Sequence, residues 1–152
     1  MTIIYRILSI IVNMVALLLA ISLVFSLPML LSSAITLLSA FMMVAVILYA
    51  FFSNRFYQKV LLRQEIVKHK LRDWVRVNGI VTIIFTLIVF LNILFLLKAP
   101  QIFTQSLHQY GIEMPQAKIN AFLYFMLAYG VVLFVHVLWT FALLRKNKDH
   151  FQ

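Results

Sequence analysis

Inside the long apolar stretches of this chain stand four polar side chains able to do chemistry: Asn13, Thr82, Thr86 and His136. Amides, hydroxyls and an imidazole buried among hydrocarbon can hydrogen-bond from one helix to the next, and the imidazole can also carry a proton. Counted from the nearest basic residue at about 1.5 Å per residue, Asn13 lies roughly 10 Å beyond Arg6. On the same count Thr82 and Thr86 lie roughly 9 and 15 Å beyond Arg76, and His136 roughly 13 Å before Arg145. This predicts one polar layer shared by the four, with Tyr49 approaching it, Thr140 one turn below His136 and Tyr129 two turns above on the same face. Two roles suit such a layer. It can tie helices together at around 0.6 kcal/mol per bond, or it can line a solute pathway around a protonatable His136.

Other chemistry lacks its residues. With no cysteine, disulfides, thiolate nucleophiles, thiolate metal sites and iron–sulfur clusters are excluded. The four acids, Glu65, Asp73, Glu113 and Asp149, are scattered over three segments, which argues against metal-assisted hydrolysis or phosphotransfer. His108 has no second strong ligand at helical spacing, and there is no nucleophile elbow, Walker loop or glycine-rich phosphate cradle. The expectation is a non-enzyme with no metal and no cofactor.

A second set of candidates is cationic. Residues 54–74 read NRFYQKVLLRQEIVKHKLRDW, in which Phe56, Val60, Ile66 or Val67, Leu71 and Trp74 recur at helical spacing between basic residues. This predicts an amphipathic helix over 55–74. Lys59, Arg63, Lys68, Lys70, Arg72 and Trp74 on it would meet anionic lipid headgroups, or its apolar face would dock on a partner protein. Nucleic acid is not the expected partner, because the basic residues flank apolar spans and no recognition motif accompanies them.

The elements that must position these residues can be read from composition. Of 152 residues, 64% are hydrophobic and 11% charged, too few polar groups to cover a surface in water. Residues 7–54 contain no ionisable Asp, Glu, Lys, Arg or His, more than twice what one helix needs to cross a hydrocarbon core of roughly 30 Å. The chain must fold back once there, and Pro28 places the break at 27–33, with Ser32 or Ser33 capping the second helix. The predicted fold class is an all-α integral membrane protein, a bundle of four transmembrane helices at 7–26, 33–53, 77–97 and 119–144, with the basic amphipathic cytoplasmic helix between the second and third. Residues 98–118 should form an outer loop with a short helix near 100–110, and 145–152 a cytoplasmic tail. The first span is expected to remain as an anchor, not a cleaved signal peptide.

Eleven of the thirteen Lys and Arg fall beside one end of these spans, leaving Lys98 and Lys118 at the other. The positive-inside rule therefore puts both termini in the cytoplasm, with a bacterial inner membrane as the expected setting. Small residues predict where helices touch: Asn13, Ala16 and Ala20 on the first span, Ser32, Thr36, Ser39 and Ala40 on the second.

In outline the chain is similar to immunity proteins against pore-forming bacteriocins, with four helices and cytoplasmic termini. The membrane-embedded Glu of small multidrug transporters, the cysteines of quinone-coupled disulfide oxidoreductases and the paired membrane histidines of diheme cytochromes are all missing. The function expected is an accessory, interaction or immunity-type factor acting through helix–helix contacts with a membrane-protein partner or a second copy. The alternative is a small oligomeric transporter or channel built on the layer around His136.

Overall fold

The computed structural model describes residues 2–30, 34–109, 111 and 113–152. Helix α1 spans Thr2–Leu30, α2 Ala34–Phe56, α3 His69–Lys98, α4 Pro100–Gln109 and α5 Gln116–Lys146. A π-helical turn, Tyr57–Leu62, extends α2, and a 3₁₀ turn, Lys148–His150, comes after α5. Four segments, Ile3–Ser26, Thr36–Leu62, His69–Lys98 and Gln116–Lys146, are long and apolar enough to cross a membrane. Their outer faces are hydrocarbon: Ile3, Phe25, Leu91 and Phe125 are each at least 66% exposed. Such a surface suits lipid and not water.

Two boundaries depart from the sequence expectation. The first helix does not break at Pro28 but continues to Leu30. A proline this close to the C-terminus removes only one of the last intrahelical bonds, so the turn survives. The predicted caps Ser32 and Ser33 lie outside the described residues. The larger correction concerns 55–74, which is not one helix. The helix of α2 widens into the π turn, with the Glu65 amide donating to the Lys59 carbonyl at 2.9 Å, and ends where Gln64 turns left-handed at φ 54°. Helix starts again at His69, so Lys70, Arg72 and Trp74 belong to the first turns of α3. The periodicity is shared between two helices separated by residues 64–68.

Those intervening residues are held by the end of the chain. The Val67 amide donates to the His150 carbonyl (2.8 Å), the Gln152 amide to the Val67 carbonyl (3.0 Å), and the His69 amide to the Gln152 carbonyl (3.0 Å). Phe151, between these bonds, is buried, stacks on Phe56 with ring centroids 6.1 Å apart, and has the Arg72 guanidinium 6.0 Å from its ring centre. The tail expected at 145–152 is thus a plug in the basic end of the bundle.

The four long helices alternate in direction and pack in a ring, α1 on α2, α2 on α3, α3 on α5, with α5 closing on α1. The buried positions of α1, Tyr5, Ser9, Val12 and Ala16, recur at helical spacing and form one stripe. Val12 and Ala16 of this stripe meet Val46, Tyr49 and Ala50 of α2 and Leu133 and Val137 of α5 in the main core, which lies toward the basic end. A smaller cluster of Ile93, Ile119 and Leu123 lies at the other end under Phe103 and Leu107 of α4. The pairing of α3 with α5 depends on two glycines. A Cβ on Gly79 would stand 2.7 Å from Cε1 of Phe141, and one on Gly130 would stand 3.2 Å from Cε1 of Phe90. Each helix gives the other a notch for one phenyl ring.

Candidate functional site

Helix α5 carries His136 and Thr140 one turn apart, and α1 carries Tyr5 and Ser9 at the same spacing. Because the helices run in opposite directions, the pairs meet in reverse order, Ser9 with His136 and Tyr5 with Thr140. From α2, diagonally across the ring, Tyr49 reaches both residues of α5. All five side chains are buried. The distances are 2.9 Å from Ser9 Oγ to His136 Nε2, 2.8 Å from Tyr49 Oη to His136 Nδ1, 2.9 Å from Tyr49 Oη to Thr140 Oγ1, and 3.0 Å from Tyr5 Oη to Thr140 Oγ1. The Tyr5 ring also stacks on the imidazole at 4.9 Å.

The proton positions are dictated by which atoms can only accept. Thr140 donates to the carbonyl oxygen of His136 at 2.7 Å, which uses its one proton. Tyr5 and Tyr49 must therefore both donate to Thr140 Oγ1. Tyr49 then has no proton left for the imidazole, so His136 Nδ1 carries hydrogen and donates to Tyr49 Oη. Nε2 is the remaining acceptor, filled by the Ser9 hydroxyl. Every proton in the set has an acceptor when the ring is neutral and carries its hydrogen on Nδ1. The arrangement ties three helices together through five side chains, at a place where an unpaired donor would cost about 1–3 kcal/mol.

Only one of the four residues expected to form a polar layer belongs to this network. Thr82 donates to the Asn78 carbonyl (2.7 Å) and Thr86 to the Thr82 carbonyl (2.8 Å), extending a ladder begun by Asn78 to Trp74 (2.8 Å) along α3. Both threonines are buried but spend their protons within their own helix. Asn13 donates to the Ser9 carbonyl at 2.8 Å, one turn from the imidazole's partner and not to the imidazole itself. Sequence reasoning places Tyr49 and Thr140 correctly beside His136 and misses Tyr5 and Ser9. The depth count treats Arg6 and Arg145 as level, but the observed pairing sets position 6 against Trp139, six residues or roughly 9 Å from Arg145. Tyr129 stands apart: its hydroxyl is buried and has no hydrogen-bond partner among the described residues.

Five of the six candidates, Lys59, Arg63, Lys68, Lys70 and Trp74, line two recesses at the basic end. The larger, about 480 Å³, sits between the end of α2 and the start of α3 and is walled by Lys59, Lys68, Lys70, Leu71, Phe52 and Trp74. Trp74 stacks on Phe52 with centroids 5.3 Å apart and remains half exposed. The smaller, about 390 Å³, lies between α1 and the π turn, where Arg63 joins Arg6. Arg72 lines neither; its guanidinium is 3.4 Å from Asp73 and lies over Phe151. Lys59 and Arg63 are each paired with Glu65, at 3.8 and 3.5 Å, in exposed geometry that contributes about 0–1 kcal/mol. Among the described residues, no three His, Cys, Asp or Glu side chains gather where they could hold a metal ion.

No family model, no curated protein and no solved structure matches this chain.

Proposed function

We propose that this chain is an integral protein of a bacterial cytoplasmic membrane, crossing it four times with both termini inside. We propose further that it is a non-enzymatic accessory, interaction or immunity-type factor acting through helix–helix contacts. The observation that carries this reading is the closed hydrogen-bond network. His136 and the hydroxyls of Tyr5, Ser9, Tyr49 and Thr140 use one another and a carbonyl as partners. A group so engaged holds α1, α2 and α5 in one arrangement and leaves the outer faces of the helices as the surfaces on which the protein acts. The orientation rests on the basic residues at the end where α1 begins and α5 finishes. There the lysines around Trp74 are suited to anionic headgroups of the inner leaflet.

Purification from native membranes in mild detergent, followed by native mass spectrometry, tests the reading. The expected result is a complex with a second membrane protein, and reporter tags on Met1 and Gln152 that both report the cytoplasm. A closed homo-oligomer that passes solute in liposomes overturns it.

A second reading has one observation in its favour. The unpartnered Tyr129 hydroxyl lies two helical turns from His136 on α5, and a buried polar atom of that kind calls for water or a solute. On this reading the chain is a small oligomeric transporter or channel. A liposome flux lost in Tyr129→Phe, with the fold intact, would select it.

A further inference from the structure

The recess between α1 and the π turn combines cationic and polar side chains with residues of the packed bundle, Ser9 and Tyr57. Its wall contains two guanidinium groups, from Arg6 and Arg63, of which Arg63 also meets the Glu65 carboxylate at 3.5 Å in exposed geometry. Asn54 and Gln58 add two amide side chains, and neither is used in a hydrogen bond elsewhere among the described residues. Gln58 and Leu62 of the π turn and Arg63 just after it line the recess, facing Arg6, Ser9, Ile10 and Asn13 of α1. The rim is apolar and faces outward, with Ile10 51% and Leu62 56% exposed. From Ile10 an exposed stripe of Met14, Leu17 and Ile21 runs along α1 away from the basic end.

A cluster of N–H donors and two guanidinium groups, one of them shared with the exposed Glu65 carboxylate, closed on one side and continuous on the other with hydrocarbon, fits a phosphate at the head of an acyl chain. Guanidinium groups bind phosphate oxygens through paired N–H bonds, and side-chain amides donate to the oxygens that remain. We propose that this recess binds a phosphate group, carried by an anionic glycerophospholipid whose acyl chains lie on the α1 stripe. The site also touches the network, because Ser9, the donor to His136 Nε2, forms part of the recess floor and Asn13 holds the Ser9 carbonyl. The lipid source rests on the reading that the basic end meets the inner leaflet; the phosphate site does not.

The test uses the full chain in neutral detergent, titrated by native mass spectrometry with dioctanoyl phosphatidylglycerol, dioctanoyl phosphatidylcholine and inorganic phosphate. Phosphatidylglycerol should bind more tightly than phosphatidylcholine. The double variant Arg6→Gln/Arg63→Gln should weaken its first binding step about 25-fold, at about fivefold per cation. Gln58→Glu, which leaves both arginines in place and adds an opposing charge, should weaken it about fivefold on the same scale. Lys68→Gln/Lys70→Gln, in the other recess, should leave this step unchanged. Arg6 and Arg63 are exposed, so the variants are expected to melt like the wild type. Displacement of the lipid by inorganic phosphate supports the phosphate site and assigns it to a soluble phosphate, overturning the lipid source. Equal affinity for the two lipids, or unchanged affinity in both the double variant and Gln58→Glu, overturns the proposal. Release of the chain from membranes by carbonate would overturn the membrane reading alone, since the phosphate titration is read without a bilayer.

Discussion

Replacing Tyr49 by Phe keeps the ring, its volume and its packing, and removes one oxygen. That oxygen accepts from His136 Nδ1 at 2.8 Å and donates to Thr140 Oγ1 at 2.9 Å, so two bonds are lost together. At around 0.6 kcal/mol per interhelical bond the loss is about 1.2 kcal/mol, rising toward 3 kcal/mol if the Nδ1 hydrogen is left buried without an acceptor. Tyr5→Phe is the matched control. It removes a single bond, the donation to Thr140 at 3.0 Å, strands no donor, and keeps the stack on the imidazole, so it should lose only about 0.6 kcal/mol. The ring has a second response open to it. With Tyr49 gone, the hydrogen gains by moving to Nε2, where Ser9 Oγ at 2.9 Å can accept it. Unfolding in detergent measures the stability difference. Nitrogen-15 spectra of histidine-labelled protein measure the tautomer, with the His136 signal identified by its disappearance in His136→Gln. The expected pattern is hydrogen on Nδ1 in the wild type and in Tyr5→Phe, and on Nε2 in Tyr49→Phe. A wild-type ring with its hydrogen on Nε2, or equal destabilisation by the two tyrosine variants, would refute the proton assignment.

The packing and the basic end supply three further outcomes. Gly79→Ala places a methyl 2.7 Å from the Phe141 ring, so overpacking of about 1–3 kcal/mol should outweigh the roughly 0.5–1 kcal/mol that alanine gains in a helix. Phe141→Leu in the same chain should restore the melting temperature, and Gly130→Ala, at 3.2 Å from Phe90, should be close to neutral. Phe151→Ala should release residues 64–68, read as faster hydrogen exchange at the Val67, His69 and Gln152 amides while the amides of α5 stay protected. Trp74 fluorescence should shift to the blue on anionic vesicles and not on zwitterionic ones, and the response should fall by an order of magnitude or more in Lys59→Gln/Lys68→Gln/Lys70→Gln, at about 1 kcal/mol per cation.

The long apolar runs make the helices legible, because backbone groups in hydrocarbon have no partner but their own segment. The limits of the last helix match the sequence reading within three residues, 119–144 against Gln116–Lys146. What periodicity cannot reveal is the interruption at 64–68. Val60, Leu71 and Trp74 keep a helical rhythm because each belongs to a real helix, and the break between those helices is stabilised from outside by Phe151, more than eighty residues away. His136 stands out as the one ionisable group in its run, and Tyr49 and Thr140 are found from it. Tyr5 and Ser9 escape because a depth count needs the register between helices, and register is set by side-chain contacts and not by flanking charges. One signal is present: Tyr5 and Ser9 repeat the four-residue spacing of His136 and Thr140, as two antiparallel helices must if their polar groups are to meet in pairs.

The fastenings that depend on particular residues gather at one end of the bundle. The network joins α1, α2 and α5; Gly79 and Phe141 join α3 to α5; Phe151 joins the tail to the π turn and to the start of α3. At the opposite end the contacts are aliphatic, with Ile93, Ile119 and Leu123 beneath α4 and the looser fit of Phe90 on Gly130. Aliphatic contacts tolerate sliding, whereas hydrogen bonds and ring-in-notch packing do not, so the basic end acts as the fixed frame. Both recesses belong to that frame. The backbone that carries their cations belongs to a part of the molecule that resists rearrangement, while the side chains of Arg6, Arg63, Lys68 and Lys70 are exposed.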